Sequence, residues 1–287
     1  MRSYNLLEHI LFPSSRLNSD KLAYALQGKT VLITGASSGI GEHVARLLGL
    51  YQVHLVIVAR RVDRLLNVKE SIEESGKAKV SIVRANLRLD EDMEALLKFL
   101  HKESTGLDFV VNNAGISIKR SVRESLDRYH DYTRTITINY LAPVKLLLSV
   151  IPILERNQGQ VINISTINTS LIPIPHFTAY QASKAAFDVW FRSAASELNA
   201  LGIAMSSIYL PLVRTPMIEP TAAYRSMPAM SPEHVARIIA KSMYTKRTTW
   251  QPWWLFIGQT ASLLFRGLWE NGMSRKLRKR RGKHGNS

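Results

Sequence analysis

The sequence reads Thr34-Gly35-Ala36-Ser37-Ser38-Gly39-Ile40-Gly41 directly after the apolar run Thr30–Ile33. Apolar residues at helical spacing, beginning at Val44, follow the last glycine, so the stretch predicts a strand, a tight turn and a helix. Glycine lets the backbone of such a turn approach a pyrophosphate closely, and the free amides at the start of the helix stabilise its charge. We therefore predict that this turn binds the phosphates of a nucleotide.

Apolar runs rich in Val and Ile alternate with longer segments of helical spacing along the rest of the chain. This alternation is typical of a parallel sheet with crossover helices, and continuous apolar runs are typical of strands buried on both faces. We predict an α/β fold with one sheet of six or seven strands. The two longest helices are predicted at 128–156 and 178–201, and Ser231-Pro232 is predicted to begin another. The predicted strands are Thr30–Ile33, Val53–Ala59, Lys79–Arg84, Leu107–Val111, Gln160–Ile164 and Ala204–Tyr209.

The composition is that of a globular protein, because 46% of the 287 residues are hydrophobic. It excludes a disordered or collagen-like chain, and the length suits two small domains or one large α/β domain. The sequence contains no cysteine, which excludes a disulfide framework, a thiolate zinc site and a cysteine nucleophile, and fits a reducing compartment. No set of metal ligands is predicted.

Positive charge is concentrated near the C-terminus. The chain has 38 Lys and Arg against 22 Asp and Glu, a net charge of +16, and would keep +9 without seven basic residues of the tail. That charge favours anionic partners such as phosphates, nucleotides, coenzyme A or lipid headgroups, or else serves only solubility. The tail has no interleaved aromatic residues, so no specific nucleic-acid partner is expected. The seven residues are Arg275, Lys276, Arg278, Lys279, Arg280, Arg281 and Lys283.

Two apolar segments are candidates for a targeting sequence or a membrane span. Residues 1–12 carry apolar residues at helical spacing interrupted by Glu8 and His9, which predicts a short amphipathic helix and not a signal peptide. Residues 248–265 carry no charge and approach the length of a membrane span, about 20 residues. Their Thr, Gln, Ser and Pro residues make a span the less favoured alternative.

Polar residues follow the predicted strands at the sheet edge where ligands of parallel sheets bind. Arg60 and Arg61 follow the second strand, where an acidic residue would select the free 2′-hydroxyl of NAD. Arginine can instead bind a 2′-phosphate through paired hydrogen bonds, so the sequence favours NADP. Asn86, after the third strand, is predicted to contact the adenine, and Asn112-Asn113-Ala114-Gly115 forms a second tight turn after the fourth strand.

Tyr180 and Lys184 lie four residues apart in the predicted helix 178–201, and therefore on one face, one turn from each other. A phenol with a pKa near ~10 is a poor acid–base catalyst at neutral pH, but a nearby ammonium group favours the phenolate and lowers that pKa. Together with the glycine turn and the sheet edge, the pair predicts an acid–base site.

The turns at Thr34–Gly41 and Asn112–Gly115 and the Tyr180-x-x-x-Lys184 pair together resemble the short-chain dehydrogenase/reductase family, over roughly residues 28 to 245. The resemblance implies a single doubly wound Rossmann-type parallel sheet, with helices on both faces, that carries cofactor and active site together. It implies that Tyr180 gives or takes a proton, that Lys184 holds the nicotinamide ribose and tunes the tyrosine, and that Asn139 supports a proton-relay water. It also implies a homo-oligomer formed through the two long helices. The NADP(H)-binding residues expected are Gly35, Ser37, Ser38, Gly39, Ile40, Gly41, Arg60, Arg61, Asn86, Asn113, Ala114, Gly115, Tyr180, Lys184, Val213 and Thr215.

One departure from the family pattern concerns the group that polarises the substrate carbonyl. The family usually carries a serine after the fifth strand, where this chain reads Asn163-Ile164-Ser165-Thr166-Ile167-Asn168. The matching residue is Thr166, whose hydroxyl can donate the same hydrogen bond, and Ser165 is the alternative. Thr166 lies 14 residues before Tyr180, one more than the family interval, so the loop between them is expected to carry an insertion.

A second departure lies in Pro211-Leu212-Val213-Arg214-Thr215-Pro216, where the family often has Pro-Gly. Leu212 replaces that glycine. Thr215 is still expected to contact the nicotinamide carboxamide.

The segments SIKRSV (117–122), FTAYQASKAAFD (177–188) and PLVRTPMIEPT (211–221) resemble the NADPH-dependent long-chain fatty acyl-CoA reductases of wax-ester-forming bacteria. This narrower resemblance implies hydride transfer to a thioester carbonyl, an oxyanion stabilised by Thr166 and Tyr180, and release of aldehyde and coenzyme A. A long acyl chain needs an apolar groove, and methionine suits adaptable apolar contacts. The candidate groove residues, unless they are ordinary core contacts, are Met217, Ile218, Met227 and Met230.

An aromatic-rich segment at 248–270 precedes the basic tail at 271–287. Aromatic rings beside Lys and Arg suit a bilayer surface, so we expect the protein in the cytoplasm, with peripheral contact to the cytoplasmic membrane face through residues 250–283. A substrate lid and a dimer contact are the alternatives for this segment. The other expected domains are an N-terminal helical extension at 1–27 and the catalytic domain at 28–247.

Two other functions remain open at the level of sequence. A reductase or dehydrogenase of another lipid carbonyl or hydroxyl, such as a keto-sphingoid, steroid or ketoacyl group, would use the same four residues. A non-catalytic nucleotide-binding scaffold is disfavoured, because the set Asn139, Tyr180 and Lys184 is intact.

Overall fold

The computed structural model of the protein describes residues 4–102, 106–219, 221–224 and 226–284. Three parts of the predicted features lie outside this description. They are residues 1–3 of the N-terminal helix, Pro220 of the segment 211–221, and residues 285–287 of the basic tail.

The described residues form one sheet of seven parallel strands. The order across the sheet is 3-2-1-4-5-6-7, so the chain winds outward in both directions from its centre. The predicted Rossmann-type doubly wound α/β fold is therefore confirmed. The strands are β1 (Lys29–Thr34), β2 (Val53–Ala59), β3 (Lys79–Arg84), β4 (Leu107–Asn112), β5 (Gln160–Thr166), β6 (Ala204–Leu210) and β7 (Thr249–Trp250).

The six strands predicted from the sequence are all present, with ends that differ by at most two residues. The additional strand, β7, lies inside the segment predicted as apolar and aromatic, and it pairs with β6 through Thr249 and Trp250 only. A strand of two residues has no periodicity that a sequence pattern could reveal. The alternative of a membrane span over 248–265 is not supported, because β7 and Pro252 divide the segment and the helix that follows has ten residues.

Helices cover both faces of the sheet. One hydrophobic core lies under the second, third, fourth and ninth helices, and the other lies under the fifth, seventh and eighth. The helices are α1 (Leu6–Leu11), α2 (Ser19–Leu26), α3 (Gly39–Leu48), α4 (Val62–Ser75), α5 (Asp90–Lys102), α6 (Tyr129–Ile136), α7 (Ala142–Arg156), α8 (Thr178–Ala200), α9 (Pro232–Thr245), α10 (Leu255–Leu264) and α11 (Arg266–His284).

The helix predicted over 128–156 is not uniform. A π-helical turn at Thr137–Leu141 separates α6 from α7, and it contains Asn139. Such turns occur frequently at functional sites, because the extra residue redirects a side chain. The continuous helical segment Tyr129–Arg156 is also, among the described residues, the one helix long and apolar enough to cross a membrane. Its buried face, which includes Leu146 and Val150, packs in the core beside the sheet, as expected for a core helix.

The strand registers bring the predicted site residues to one edge of the sheet. Thr34 at the end of β1 lies opposite Val58 of β2, and Thr166 at the end of β5 lies opposite Leu210 of β6. The carboxyl ends of parallel strands form the edge where ligands bind in this architecture. The glycine turn and the residues after β4, β5 and β6 therefore share one cleft edge.

Candidate active site

The glycine turn between β1 and α3 has a backbone that requires glycine. Gly35 and Gly39 have φ angles of +70° and +59°, which other residues adopt only with strain. A Cβ atom at Gly41 would lie 2.5 Å from the carbonyl oxygen of Gly35. The side chain of Ser38, the N-cap of α3, makes no capping hydrogen bond, so the first amides of the helix face the turn. This arrangement fits a bound pyrophosphate.

The turn after β4 is held against the glycine turn by hydrogen bonds. The backbone amides of Asn113 and Ala114 each donate to Oγ1 of Thr34 at 3.0 Å. The Asn113 side chain donates to the carbonyl oxygen of Thr34 at 2.9 Å and to that of Gly35 at 3.3 Å. The side-chain amide of Asn113, which was predicted to bind the cofactor, therefore holds the glycine turn in place.

Arginine side chains gather where the adenosine end of a dinucleotide would lie. Arg61 donates to the hydroxyls of Ser37 and Ser38 at 3.2 and 3.1 Å. Burial lowers the pKa of Arg88, and the nearby guanidinium groups of Arg60 and Arg134 lower it further. Like charges held together in this way favour an anion between them.

The sequence did not single out Arg88, because its neighbours belong to other elements. The predicted adenine contact, Asn86, uses its side-chain oxygen to accept from the backbone amide and Nε of Arg88, both at 3.4 Å. Asn86 therefore positions Arg88 in this structure.

Thr166 and not Ser165 is brought to Tyr180. The Thr166 side chain lies close enough to the phenol of Tyr180 to lower its pKa. The hydroxyl of Ser165 instead donates to Asp188, about two turns further along α8, at 3.4 Å. Of the two candidates left open by the sequence, the tertiary structure places only Thr166 beside the tyrosine.

Lys184 lies one turn after Tyr180 on α8, and its ammonium group donates to the carbonyl oxygen of Ile164 at 3.0 Å. A Cβ atom at Gly115 would lie 3.7 Å from this ammonium nitrogen and 2.9 Å from Oδ1 of Asn139. Glycine at 115 therefore allows the turn after β4 to approach the two predicted catalytic residues.

In the chain by itself, burial and not a neighbouring charge has the largest effect on the pKa of Tyr180. Burial raises the pKa of Tyr180 to about 12, against a lowering effect of the Thr166 side chain. Burial also lowers the pKa of Lys184 to about 8, against the opposing charge of Asp188. Shielding from water disfavours the charged form of each group, and here it outweighs their mutual influence.

Asn139 is buried, and its side chain joins the π-helical turn to two other elements. Its Oδ1 accepts from the backbone amide of Ile116 at 3.0 Å, and its Nδ2 donates to the carbonyl oxygen of Ile116 at 2.9 Å. Nδ2 also donates to the hydroxyl of Ser183 at 2.9 Å. Ser183 immediately precedes Lys184, so Asn139 fixes the turn after β4 relative to α8.

The segment after β6 crosses the glycine turn. Thr215 approaches it so closely that a Cβ atom at Gly39 would lie 3.1 Å from the Thr215 methyl group. Val213 is buried and forms a parallel bridge with Met230. Met230 is fully buried in the core, so its assignment to an acyl groove is wrong. Of the other three candidates, Met217 and Met227 are half exposed.

The sequence analysis missed Tyr224, which lies in a 3₁₀ turn of the same segment. Its ring stacks on that of Phe177 with centroids 6.4 Å apart, and its charge would further raise the pKa of Tyr180. Tyr224 also lines a cavity of about 430 Å³. The other lining residues are Arg214, Thr215, Pro216, Ile218 and Glu219. No local pattern connects Tyr224 with Tyr180, so only the fold could reveal this neighbour.

The N-terminal helix α1 holds the same segment through a buried ion pair. Glu8 pairs with Arg214 and accepts from the backbone amide of Ala229 at 3.1 Å. Burial alone would raise the pKa of Glu8, but the hydrogen bonds from Ala229, Arg214 and Asn5 hold it below its ordinary value. Tyr4 adds a ring 5.7 Å from the Arg214 guanidinium. The helix thus fastens the segment that carries Thr215.

We predict that Glu8→Ala lowers the free energy of unfolding by about 2 kcal/mol, because it leaves buried charged and polar groups without their partner. Urea denaturation at pH 7 measures the loss, and Glu8→Gln, which keeps an acceptor, is expected to lose less. Because the folded pKa of Glu8 is depressed, this stabilisation is present above its unfolded pKa and disappears as the pH falls through the folded value. An unchanged unfolding midpoint for Glu8→Ala would contradict this role.

The chain is similar to known proteins in sequence and in fold. A fatty acyl-CoA reductase of Acinetobacter baylyi is 43% identical over 215 residues, which cover 75% of this chain and 72% of that protein. A fatty acyl-CoA reductase of Mycobacterium tuberculosis is 39% identical over 222 residues, 77% of this chain and 75% of that protein. The crystal structure of a short-chain type dehydrogenase/reductase from Mycobacterium marinum matches with a TM-score of 0.71 at 25% identity, over 79% of this chain and 93% of that one.

The family described as short chain dehydrogenase matches residues 29–225. This range contains the glycine turn, the turn after β4, Thr166, Tyr180 and Lys184. The chain is therefore a member of the short-chain dehydrogenase family, an oxidoreductase of the kind that uses NAD or NADP.

Proposed function

We propose that this protein reduces a long-chain fatty acyl-CoA to the aldehyde and free coenzyme A, with NADPH as the hydride donor. The observation that carries the proposal is that the Thr166 side chain adjoins the phenol of Tyr180, with Lys184 one turn further along α8, in a chain 43% identical to a fatty acyl-CoA reductase. Two hydroxyls that converge on one point can both donate to a carbonyl oxygen that becomes negative in the transition state.

The chain's own residues act on the oxygen of the thioester carbonyl. The bound cofactor supplies the hydride that forms the new C–H bond. Tyr180 donates its proton to the carbonyl oxygen, since its raised pKa keeps the phenol protonated at neutral pH. Thr166 donates a second hydrogen bond to the same oxygen, and the cationic Lys184 stabilises the tyrosinate that forms.

Hydride and proton transfer to the thioester give a hemithioacetal, and its collapse completes the reaction. The Tyr180 oxygen takes back the hydroxyl proton, the C–S bond breaks, and the coenzyme A thiolate takes a proton from solvent. The sum is one acyl-CoA, one NADPH and one proton giving one aldehyde, one coenzyme A and one NADP⁺.

The preference for NADPH rests on Arg60 and Arg61, the guanidinium groups beside the glycine turn. We predict that replacing both by Ala raises the KM for NADPH by about tenfold or more, because each charge-assisted hydrogen bond to a phosphate is worth about 1.5–3 kcal/mol. The KM for NADH should not rise. Steady-state kinetics with both cofactors measure this, with Arg156→Ala at the far end of α7 as a control. Equal losses with NADPH and NADH would contradict a 2′-phosphate site.

The lowered pKa of Lys184 predicts the pH dependence of reduction. Below a pH of about 8 the side chain is cationic and can stabilise the tyrosinate, and above it the cation is lost. Since kcat/KM reports the free enzyme, we expect it to be constant at lower pH and to fall about tenfold per pH unit above about 8. Lys184→Arg should move this descending limb to higher pH. A constant kcat/KM up to pH 10 would contradict the assignment.

The function is tested by incubating the purified protein with NADPH and palmitoyl-CoA and measuring NADPH oxidation, aldehyde and free thiol together. Equal amounts of aldehyde and thiol establish the acyl-CoA reductase. Oxidation of NADPH by a lipid ketone without thiol release would keep Tyr180 and Lys184 in their roles but assign the protein to another lipid carbonyl. NADPH binding without any turnover of these substrates would favour the non-catalytic scaffold.

A further inference from the structure

Helix α10 differs from an ordinary surface helix because its outer face is apolar. Its inner face carries Leu255, which is fully buried, Gly258, which lies against Leu171, and Ser262, which accepts from the amide of Ile172 at 3.3 Å. The outer face should then be polar. It is instead apolar, and the four outer residues are all more than half exposed. They are Phe256, Ile257, Leu263 and Leu264.

Helix α1 shows the same reversal. Its one acidic residue, Glu8, is buried, while Leu6 is 79% exposed and Leu7 and Ile10 are more than half exposed. The start of α10 is tied to α1, because the indole nitrogen of Trp253, two residues before α10, donates to the carbonyl oxygen of Ile10 at 3.1 Å. The two outward apolar faces are therefore neighbours, and with Leu268 and Trp269 at the start of α11 they form what we term the apolar face.

The chain next to the apolar face is strongly cationic. Arg275, Lys276 and Arg278 continue α11 and are exposed, and residues 237–287 contain a single acidic residue, Glu270. An apolar patch beside a dense positive charge is complementary to an anionic phospholipid surface, which offers both a hydrocarbon interior and negative headgroups. A second copy of this chain would bring the same cations to the contact and would repel them.

We propose that the apolar face of α1, α10 and the start of α11 docks on an anionic phospholipid bilayer, with the cations of α11 on the headgroups. The docked face lies beside the catalytic cleft. On one side Ile172, held by Ser262, belongs to the loop that leads to Phe177 and Tyr180. On the other, Glu8 on the inner side of α1 holds Arg214. The proposal does not depend on which carbonyl the enzyme reduces.

The test is co-sedimentation of the full chain with vesicles of phosphatidylcholine and phosphatidylglycerol, and with phosphatidylcholine alone. We expect binding to the mixed vesicles, weaker binding to pure phosphatidylcholine, and a further loss at high salt because exposed charges are screened. Phe256→Glu/Leu263→Glu should weaken binding by at least about tenfold, since two charges would enter the apolar interface. The fluorescence of the exposed Trp253 should shift to shorter wavelength with bound wild-type protein.

A matched control variant introduces two glutamates at positions outside the apolar face. Tyr24→Glu/Leu50→Glu replaces two exposed apolar residues on α2 and on the turn before β2, and it should bind vesicles as the wild type does. Thermal unfolding by circular dichroism shows that each variant is folded. Wild-type protein that stays in the supernatant would overturn the proposal. So would an α10 variant that binds normally, or one whose only change is a smaller oligomer in light scattering, which would assign the face to a second copy.

Discussion

Tyr180→Phe is expected to lower kcat by about a thousandfold, the size of effect that a positioned general acid contributes, while NADPH still binds. The substitution removes one hydroxyl from a ring that is half-buried and adjoins Thr166, so the fold has little reason to change. The developing oxyanion would then have only the Thr166 hydroxyl as a donor. Single-turnover oxidation of NADPH measures the loss of the chemical step, and cofactor fluorescence measures binding separately.

Two controls make this prediction specific. Tyr24→Phe removes the same hydroxyl from an exposed ring on α2 and should leave kcat unchanged. Tyr224→Phe tests the other phenol near the site. This substitution should affect KM more than kcat, because the Tyr224 ring stacks on Phe177. If Tyr224→Phe abolished turnover and Tyr180→Phe did not, the proton donor would be Tyr224.

Gly41→Ala is expected to damage cofactor binding and stability together. In most helices this change is favourable by up to about 1 kcal/mol. Here the new Cβ atom would lie 2.5 Å from the Gly35 carbonyl oxygen and 2.7 Å from the Asn113 side chain, so the turn itself must move. Overpacking of this kind costs about 1–3 kcal/mol, and a displacement costing about 2 kcal/mol in the bound state corresponds to roughly a thirtyfold rise in the Kd for NADPH.

The measurement is NADPH titration by fluorescence, with urea denaturation of the same sample. Gly272→Ala is the matched control, because a Cβ atom at that helical glycine meets nothing within 4 Å. It should leave the Kd unchanged and the stability equal or slightly higher. Wild-type affinity in Gly41→Ala would show that the close approach of α3 to Gly35 is not needed to bind phosphates.

Local sequence patterns were sufficient to predict the main strands of the sheet and the individual motifs of the candidate site. The run Thr30–Ile33 followed by the glycine turn predicted β1 and α3, because a buried strand and a tight turn each leave a continuous signal in a few residues. Tyr180 and Lys184 could be paired from the sequence, since their spacing fixes their relation on α8. The short edge strand β7 left no such signal, nor did the π-helical turn that orients Asn139.

Contacts between distant segments could not be predicted. The choice between Thr166 and Ser165 depends on which hydroxyl meets the first turn of α8, because Ser165 meets Asp188 further along the same helix. The pair of Glu8 and Arg214 joins residues 206 positions apart, and no periodicity reports such a contact. Burial, a property of the fold, has the largest effect on the pKa of both Tyr180 and Lys184, and no local pattern reports it.

The sequence by itself determined the α/β architecture with a parallel sheet, the position of the phosphate-binding turn and the residue types of the acid–base site. These follow from spacing, backbone freedom and hydrophobic periodicity, which act over a few neighbouring residues. Only the tertiary structure decided which hydroxyl joins Tyr180, how α1 fastens the segment that carries Thr215, and that α1 and α10 turn apolar residues outward. Each of these depends on which surfaces pack together, and packing brings together residues that are remote in the chain.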